Sequence, residues 1–394
     1  MKKKLLIALI ALVLAVVLIV AAAVLLLPQY HYSRALSLME EKNYNEAYVH
    51  LKKCENFKDS KELLENFVTI YDAYTVTNGA GEIQSKKEYT YDENDNLILE
   101  QSFGKDGAAG SKIEYAYDEN GNEILLIIYD KNGNITTKSE REYDEYGNMI
   151  LSKGFKTIDH VVTNSTSKHE YEYDSNGNVL QETTYDEKDR FKSRYRCEYD
   201  ENNNKTLVIY YDEEGEAESR TVYEYDENGN VTFEIHYNKN DAVTTSHEWE
   251  YDAKGNLTLR VSYDKNGKIT SKTEYTYTED GWESFSITYA DAPQYDDLTL
   301  EQKYDKNGNE ILSISRNDGN LMFHGEYEYD EHGNMTLETG YDENGNVGYQ
   351  FKFEYEYDEY GNMTLKIEYD NDGNVKAKTE FTNPRFTYRP QEDE

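Results

Sequence analysis

The sequence predicts a mainly β protein. An N-terminal transmembrane helix leads into a short α-helical hairpin, and then into an antiparallel β-meander of about 22 strands coiled on itself. Three observations carry this. An apolar run fills Leu5–Leu27, helical spacing is confined to positions 33–75, and one pattern recurs at a nearly constant period from position 88 onward. The expected organisation is 1–27 cytoplasmic lysines and membrane anchor, 28–75 helical stalk, 76–381 repeats and 382–394 acidic tail.

Lys2, Lys3 and Lys4 precede the apolar run. At about 1.5 Å per residue, Leu5–Leu27 spans about 34 Å, enough for a hydrocarbon core of about 30 Å. The run continues past Ala21, Ala22 and Ala23, the one place where a signal peptidase would cut. Lysines on the cytoplasmic side give a single-pass membrane protein with a cytoplasmic N-terminus and its bulk outside.

In the stalk, Ala35, Leu36, Leu38 and Met39 keep helical spacing, as do Tyr44, Ala47, Tyr48 and Leu51. Asp59 with Glu62 reads as a capping box, and Leu63, Leu64, Phe67 and Val68 as the apolar face of the helix that follows. Residues 35–54 resemble one tetratricopeptide-type helical hairpin. A lone unit of that kind cannot bury its own face, so a spacer is expected rather than a peptide groove. Cys54 and Cys197 read as small packing residues and not as a pair.

In the repeats, the tyrosine of a Tyr-Asp turn falls at Tyr91, Tyr117, Tyr143, Tyr173, Tyr199, Tyr225, Tyr251, Tyr277, Tyr304, Tyr329 and Tyr357. At a constant step after each stands a second position, aromatic in all but one: Phe103, Tyr129, Phe155, Tyr185, Tyr211, Tyr237, Tyr263, Tyr289, Arg316, Tyr341 and Tyr369. Within a unit, Tyr223 and Tyr225 alternate with Glu224 and Asp226. After Glu227-Asn228-Gly229-Asn230, the residues Val231, Phe233, Ile235 and Tyr237 alternate with Thr232, Glu234 and His236. Period-two alternation across Asn-Gly is the signature of a hairpin. One aromatic and aliphatic face and one acidic face are therefore expected, with tyrosines inward and carboxylates outward. A flat sheet of 22 strands would be about 105 Å wide, so coiling is expected.

Units such as Tyr223–Tyr237 and Tyr355–Asp370 resemble the YD repeats of the RHS family, over roughly positions 88–381. That resemblance implies an RHS-like coiled β-sheet of the kind found on bacterial surfaces and in secreted toxins. Here the turn continues as Gly-Asn rather than Gly-Arg-Leu, and the period is longer than the family's. Only a short segment follows Tyr369, so a smaller coil filled by side chains is expected rather than a shell around a cargo domain.

The chain carries 78 acidic and 41 basic side chains, a net charge of −37. That excludes a nucleic-acid binder, which needs clustered Lys and Arg. Carboxylates recur at equivalent places in every unit, as turns and solvated faces require, so no catalytic pair stands out and no enzyme is expected. His169, His247 and His324 lie in strands without a second histidine at ligand spacing. In Asp226–Asn230 the glycine comes too early for a calcium loop and no bidentate glutamate is fixed. The expectation is no cofactor, with calcium at most loosely associated with the acidic surface.

Departures from the pattern mark candidate contacts. Lys156–Lys168 carries an insertion relative to the other units, and the eighth unit places Trp282 at a turn and runs on to Pro293. Trp282 and Pro293 are the candidate ligand-binding residues. Trp249, in an inward tyrosine position, is expected in the core. The expected role is binding or display at the cell surface, toward a cell-wall glycan or a surface protein. The alternatives are a structural spacer stiffened by divalent cations and an accessory or immunity partner of a secreted toxin.

Overall fold

The computed structural model describes residues 27–158, 161–278, 283–292 and 295–389. The expected membrane span, apart from Leu27, lies outside them. Among the described residues no helix is long and apolar enough to cross a membrane.

Twenty-six strands, β1–β26 in chain order, are present among the described residues. The expected 22 are there as β3 (Ile83–Tyr91) through β24 (Met363–Tyr369), each antiparallel to its neighbour in sequence where described. Two more join them: β2 (Ala73–Asn78) and β25 (Val375–Thr382). β2 pairs with β3 on one side and with β25 on the other, from Ala73↔Thr382 to Asn78↔Ala377. The 24-stranded sheet is thereby closed, which corrects the expectation of a meander coiled on itself. Hydrogen-bond closure leaves no free edge to protect.

The chain divides into two compact units: residues 1–109 with 354–367 and 376–394, and residues 110–353 with 368–375. In the first, residues 27–40 are helical (α1), followed by α2 (Tyr44–Lys52) and α3 (Ser60–Glu65). Tyr32, Ala35, Leu51 and Cys54 form its buried cluster, with Leu36, Met39, Phe57, Leu63 and Leu64 packed around them. The expected capping box does not form. Asp59 makes no side-chain cap bond and instead accepts the Tyr32 hydroxyl, which helps push that tyrosine up to about 12. Phe67 and Val68 are not helical; they open strand β1 (Phe67–Ile70). The reason is long-range pairing: β1 finds β26 (Arg385–Tyr388), with Phe67↔Tyr388 and Ile70↔Arg385. What reads as a tail is thus a strand of the helical unit. Phe386 stacks on Tyr48 at 3.9 Å between ring centroids, and its N–H donates to Asn45 Oδ1 at 2.7 Å.

In the second unit the repeat chemistry is visible strand by strand. At most turns an aspartate organises the backbone. Asp226 Oδ1 accepts the N–H groups of Asn228 (2.8 Å) and Asn230 (2.9 Å), and Oδ2 accepts the Asn230 side-chain amide. Gly229 sits at φ +85°, which a side chain resists. This is a hairpin loop with a glycine bulge, and the ladder shifts register between Glu224 and Tyr225.

That bulge overturns the expected sorting of faces. One inserted residue flips every following side chain. In β13 (Ala217–Tyr225) and β14 (Val231–Asn238), Tyr223 therefore stands opposite Glu234, and Glu224 opposite Phe233. Each face carries both aromatic rings and carboxylates. The Tyr223 face holds the buried cross-strand row Cys197, Val208 and Thr221. The opposite face carries the second aromatic of each unit. Exposed Glu224, Glu248 and Glu250 on that face are unsuited to contact with lipid.

The tyrosine of most Tyr-Asp turns has a defined role. Its hydroxyl donates to a backbone carbonyl in the preceding unit: Tyr199 to Val179 at 3.0 Å, Tyr225 to Lys205 at 2.7 Å and Tyr251 to Val231 at 2.9 Å. Burial raises all three phenols above their ordinary value, that of Tyr199 to about 12. Tyr251→Phe removes one such tie while keeping the ring. It is expected to cost about 0.5–1.5 kcal/mol in chemical denaturation.

Candidate binding surface

The face opposite Tyr223 is built as a ladder. Directly across from each second aromatic, on the strand before it, stands in most units a lysine or arginine: Lys86↔Phe103, Lys112↔Tyr129, Arg194↔Tyr211 and Arg220↔Tyr237. Lys112 Nζ lies 4.1 Å from the centroid of the Tyr129 ring. The Arg194 guanidinium lies 4.4 Å from that of Tyr211, and the Arg220 guanidinium 3.6 Å from that of Tyr237. Each is a cation–π contact. Several of these tyrosines also donate to a glutamate on that same strand: Tyr129 to Glu114 at 2.7 Å and Tyr263 to Glu248 at 2.6 Å. Ring, cation and carboxylate thus cover one another along most of the surface.

The ladder opens at Tyr185. Its partner Lys168 pairs with Asp189 in the next turn, as Arg220 does with Asp241, but no cation lies over the Tyr185 ring among the described residues. A cleft of about 480 Å³ results, lined by Glu170, Glu172, Gln181, Tyr185, Phe191 and Arg194, with the buried Thr183 at its floor. Three strands shape it: β9 (Val161–Tyr173), β10 (Val179–Asp186) and β11 (Phe191–Tyr199). Tyr185 and Phe191 are register partners. Where the regular units place Ala109, Ile135, Ala217, Val243 and Ile269, this one has the aromatic Phe191. Tyr185 donates to Glu170 at 3.1 Å, and the Gln181 amide donates to Glu172 at 3.0 Å. Arg194 Nε is enclosed and has no hydrogen-bond partner.

The sequence-predicted contact residues Trp282 and Pro293 lie outside the described residues, separated in the chain by β18 (Glu283–Ala292). The insertion at 156–168 lengthens a hairpin. β8 (Met149–Ile158) and β9 pair out to Ile158↔Val161, leaving Val161 and Val162 exposed. Tyr173, just after this insertion, forgoes the usual carbonyl and donates to Asp144, while Tyr171 takes a carbonyl, that of Met149, at 3.2 Å. Trp249 is half-buried rather than core, opposite Arg260 and 5.8 Å from the His247 ring.

The histidines make local pairs: His169 Nδ1 with Glu182 at 2.7 Å, and His247 Nδ1 with Ser262 at 2.9 Å. Burial lowers the pKa of His247 and the nearby Glu234 offsets part of that. Among the described residues no group of three His, Cys, Asp or Glu side chains is placed to hold a metal ion. Cys54 and Cys197 are free and buried.

Fold and surface together define a closed antiparallel β-sheet repeat protein with one interrupted aromatic ladder. No family model and no curated protein matches the chain. Among solved structures, it is similar to a chain of the Tc holotoxin pore of Photorhabdus luminescens. The identity is 15% and the TM-score 0.24, over 75% of this chain and 17% of that one. A porin-like protein of Bacteroides uniformis is 11% identical with a TM-score of 0.25, over 81% of this chain and 98% of that one. The chain spans less than a fifth of the toxin chain, and likenesses this slight carry no functional argument.

Proposed function

We propose that this is a non-catalytic binding protein, a divergent relative of the YD-repeat proteins, tethered to the membrane by Leu5–Leu27 and displaying its repeat sheet outside the cell. The observation that carries the reading is the division of labour in the repeat. The recurring tyrosines, aspartates and glycines are engaged in ties, turns and ring cover. Where this cover is withdrawn at Tyr185, an aromatic and polar cleft opens. The turn aspartates already accept two backbone N–H groups and an amide, which favours a binding role over a spacer stiffened by divalent cations. The partner expected for so acidic a chain is a neutral cell-wall glycan or a surface protein, and not a nucleic acid.

The test is retention of the full-length chain, in detergent micelles, on isolated cell walls with and without calcium. Saturable retention at about 0.15 M ionic strength, unchanged by a chelator, is expected. Retention that vanishes at that salt, or that needs calcium, contradicts the reading. The same assay with Trp282→Ala and with the 156–168 segment shortened asks whether those departures from the repeat contribute.

A further inference from the structure

We infer that the Tyr185–Phe191 cleft is a saccharide subsite that takes an uncharged pyranose ring of a glycan. Tyr185 and Phe191, register partners that both line the cleft, bring aromatic faces with a negative quadrupole, the surface against which the C–H groups of a pyranose pack. Around them stand groups that answer both kinds of hydroxyl bond. The Glu170 and Glu172 carboxylates accept, while the Gln181 amide and the Arg194 guanidinium donate. The volume of about 480 Å³ lies within the range of small-molecule sites. Charge selects further: two carboxylates face one guanidinium in a chain of net charge −37, so uronic and sialic acids are repelled.

A cleft of about 470 Å³ also lies at the equivalent Tyr341, lined by Glu326, Glu328, Thr339 and Gln350, and two features set the Tyr185 cleft apart. Phe191 replaces the aliphatic residue of the other units, and Arg194, the register partner of Thr183, stands where Gln350 is the partner of Thr339. In the neighbouring unit Arg220 lies over Tyr237, and Val243 stands where Phe191 would be. The same cleft does not form there.

The inference rests on the binding reading above. If the sugar contact is lost while cell-wall retention persists, this cleft is excluded and that reading stands. The test titrates the full-length chain in detergent micelles with chitotriose, a neutral trisaccharide, and with trigalacturonate, its acidic counterpart, by saturation-transfer NMR and calorimetry. Saturable binding of chitotriose at about 0.15 M ionic strength is expected, with no saturable binding of trigalacturonate. Phe191→Ala installs the residue found at Ala217, and is expected to weaken chitotriose binding roughly tenfold without moving the melting temperature. Arg194→Gln keeps a donor but removes the guanidinium, is expected to weaken binding as well, and carries the test if Phe191→Ala melts early. Absence of saturable chitotriose binding, equal affinity in the wild type and both variants, or equal affinity for trigalacturonate would each overturn the assignment.

Discussion

Phe386→Ala is expected to destabilise the helical unit by about 3–5 kcal/mol, the usual cost of emptying a buried phenylalanine site. Phe386 is 8% exposed. It stacks on Tyr48 at 3.9 Å and meets Phe67 edge-on at 6.2 Å. Its strand does more than fill space. Asn45 accepts the Phe386 N–H, Thr387 donates to Asp95 at 3.1 Å, and Arg385 donates to Asp72 at 2.8 Å. Losing the ring loosens a strand that joins the helices to the start of the sheet. For a unit of this size the change corresponds to a drop on the order of 10 °C in melting temperature, measured by circular dichroism. Val347→Ala, at a residue 56% exposed, is the control and is expected to leave melting nearly unchanged. Equal melting of the two variants would mean that β26 does not hold the helical unit.

Acidification below about pH 4 is expected to unfold the repeats cooperatively. The Asn230 side-chain amide, with backbone N–H groups, holds the Asp226 carboxyl below the ordinary aspartate value, and Asn256 does the same for Asp252. Twelve turn aspartates are lowered, Asp186 chiefly by the Arg190 guanidinium and the others by amide and backbone donors of this kind: Asp92, Asp118, Asp130, Asp174, Asp186, Asp200, Asp226, Asp252, Asp264, Asp305, Asp342 and Asp370. A depressed folded pKa means that the unfolded chain takes up the proton first. The stabilisation is therefore present above the unfolded value of about 3.9 and lost as pH falls through the lower folded values. These turns are exposed and each contributes little alone, but they share one construction and titrate together. Between about pH 7 and pH 5 the opposite trend is expected, because relief of charge repulsion in so acidic a chain favours the compact state. Melting temperature against pH should thus pass through a maximum on the acid side of neutral and then fall. A curve that keeps rising to about pH 2 would show that the turn carboxylates do not matter. Asp226→Asn, which still accepts hydrogen bonds but cannot titrate, should make the acid limb slightly shallower.

What was legible in the sequence was local. The Asn-Gly turns, the constant step between aromatics and the 22 strands of the repeats all follow from short-range chemistry, and the strands stand where that chemistry places them. The sorting of faces was not legible. A glycine bulge leaves the alternation of each strand intact while changing which residues of two strands share a side, so Tyr223 meets Glu234 rather than Phe233. Nor was closure, because β2 and β25 pair positions as remote in sequence as Ala73 and Thr382. Phe67 misled for the same reason: its helical spacing after Leu63 and Leu64 is real, and the distant strand Arg385–Tyr388 competes for it. The cleft had a faint signal, an aromatic residue at position 191 where other units are aliphatic. The lysine opposite each second aromatic, such as Lys112 opposite Tyr129, acquires meaning only once the register is known.

The most direct test of membrane-tethered surface display is accessibility of an epitope fused after Glu394 in intact cells. The expected result is antibody labelling of unbroken cells, together with recovery of the chain in the membrane fraction through the Leu5–Leu27 span. Labelling only after lysis, or recovery in the soluble fraction, would contradict the account.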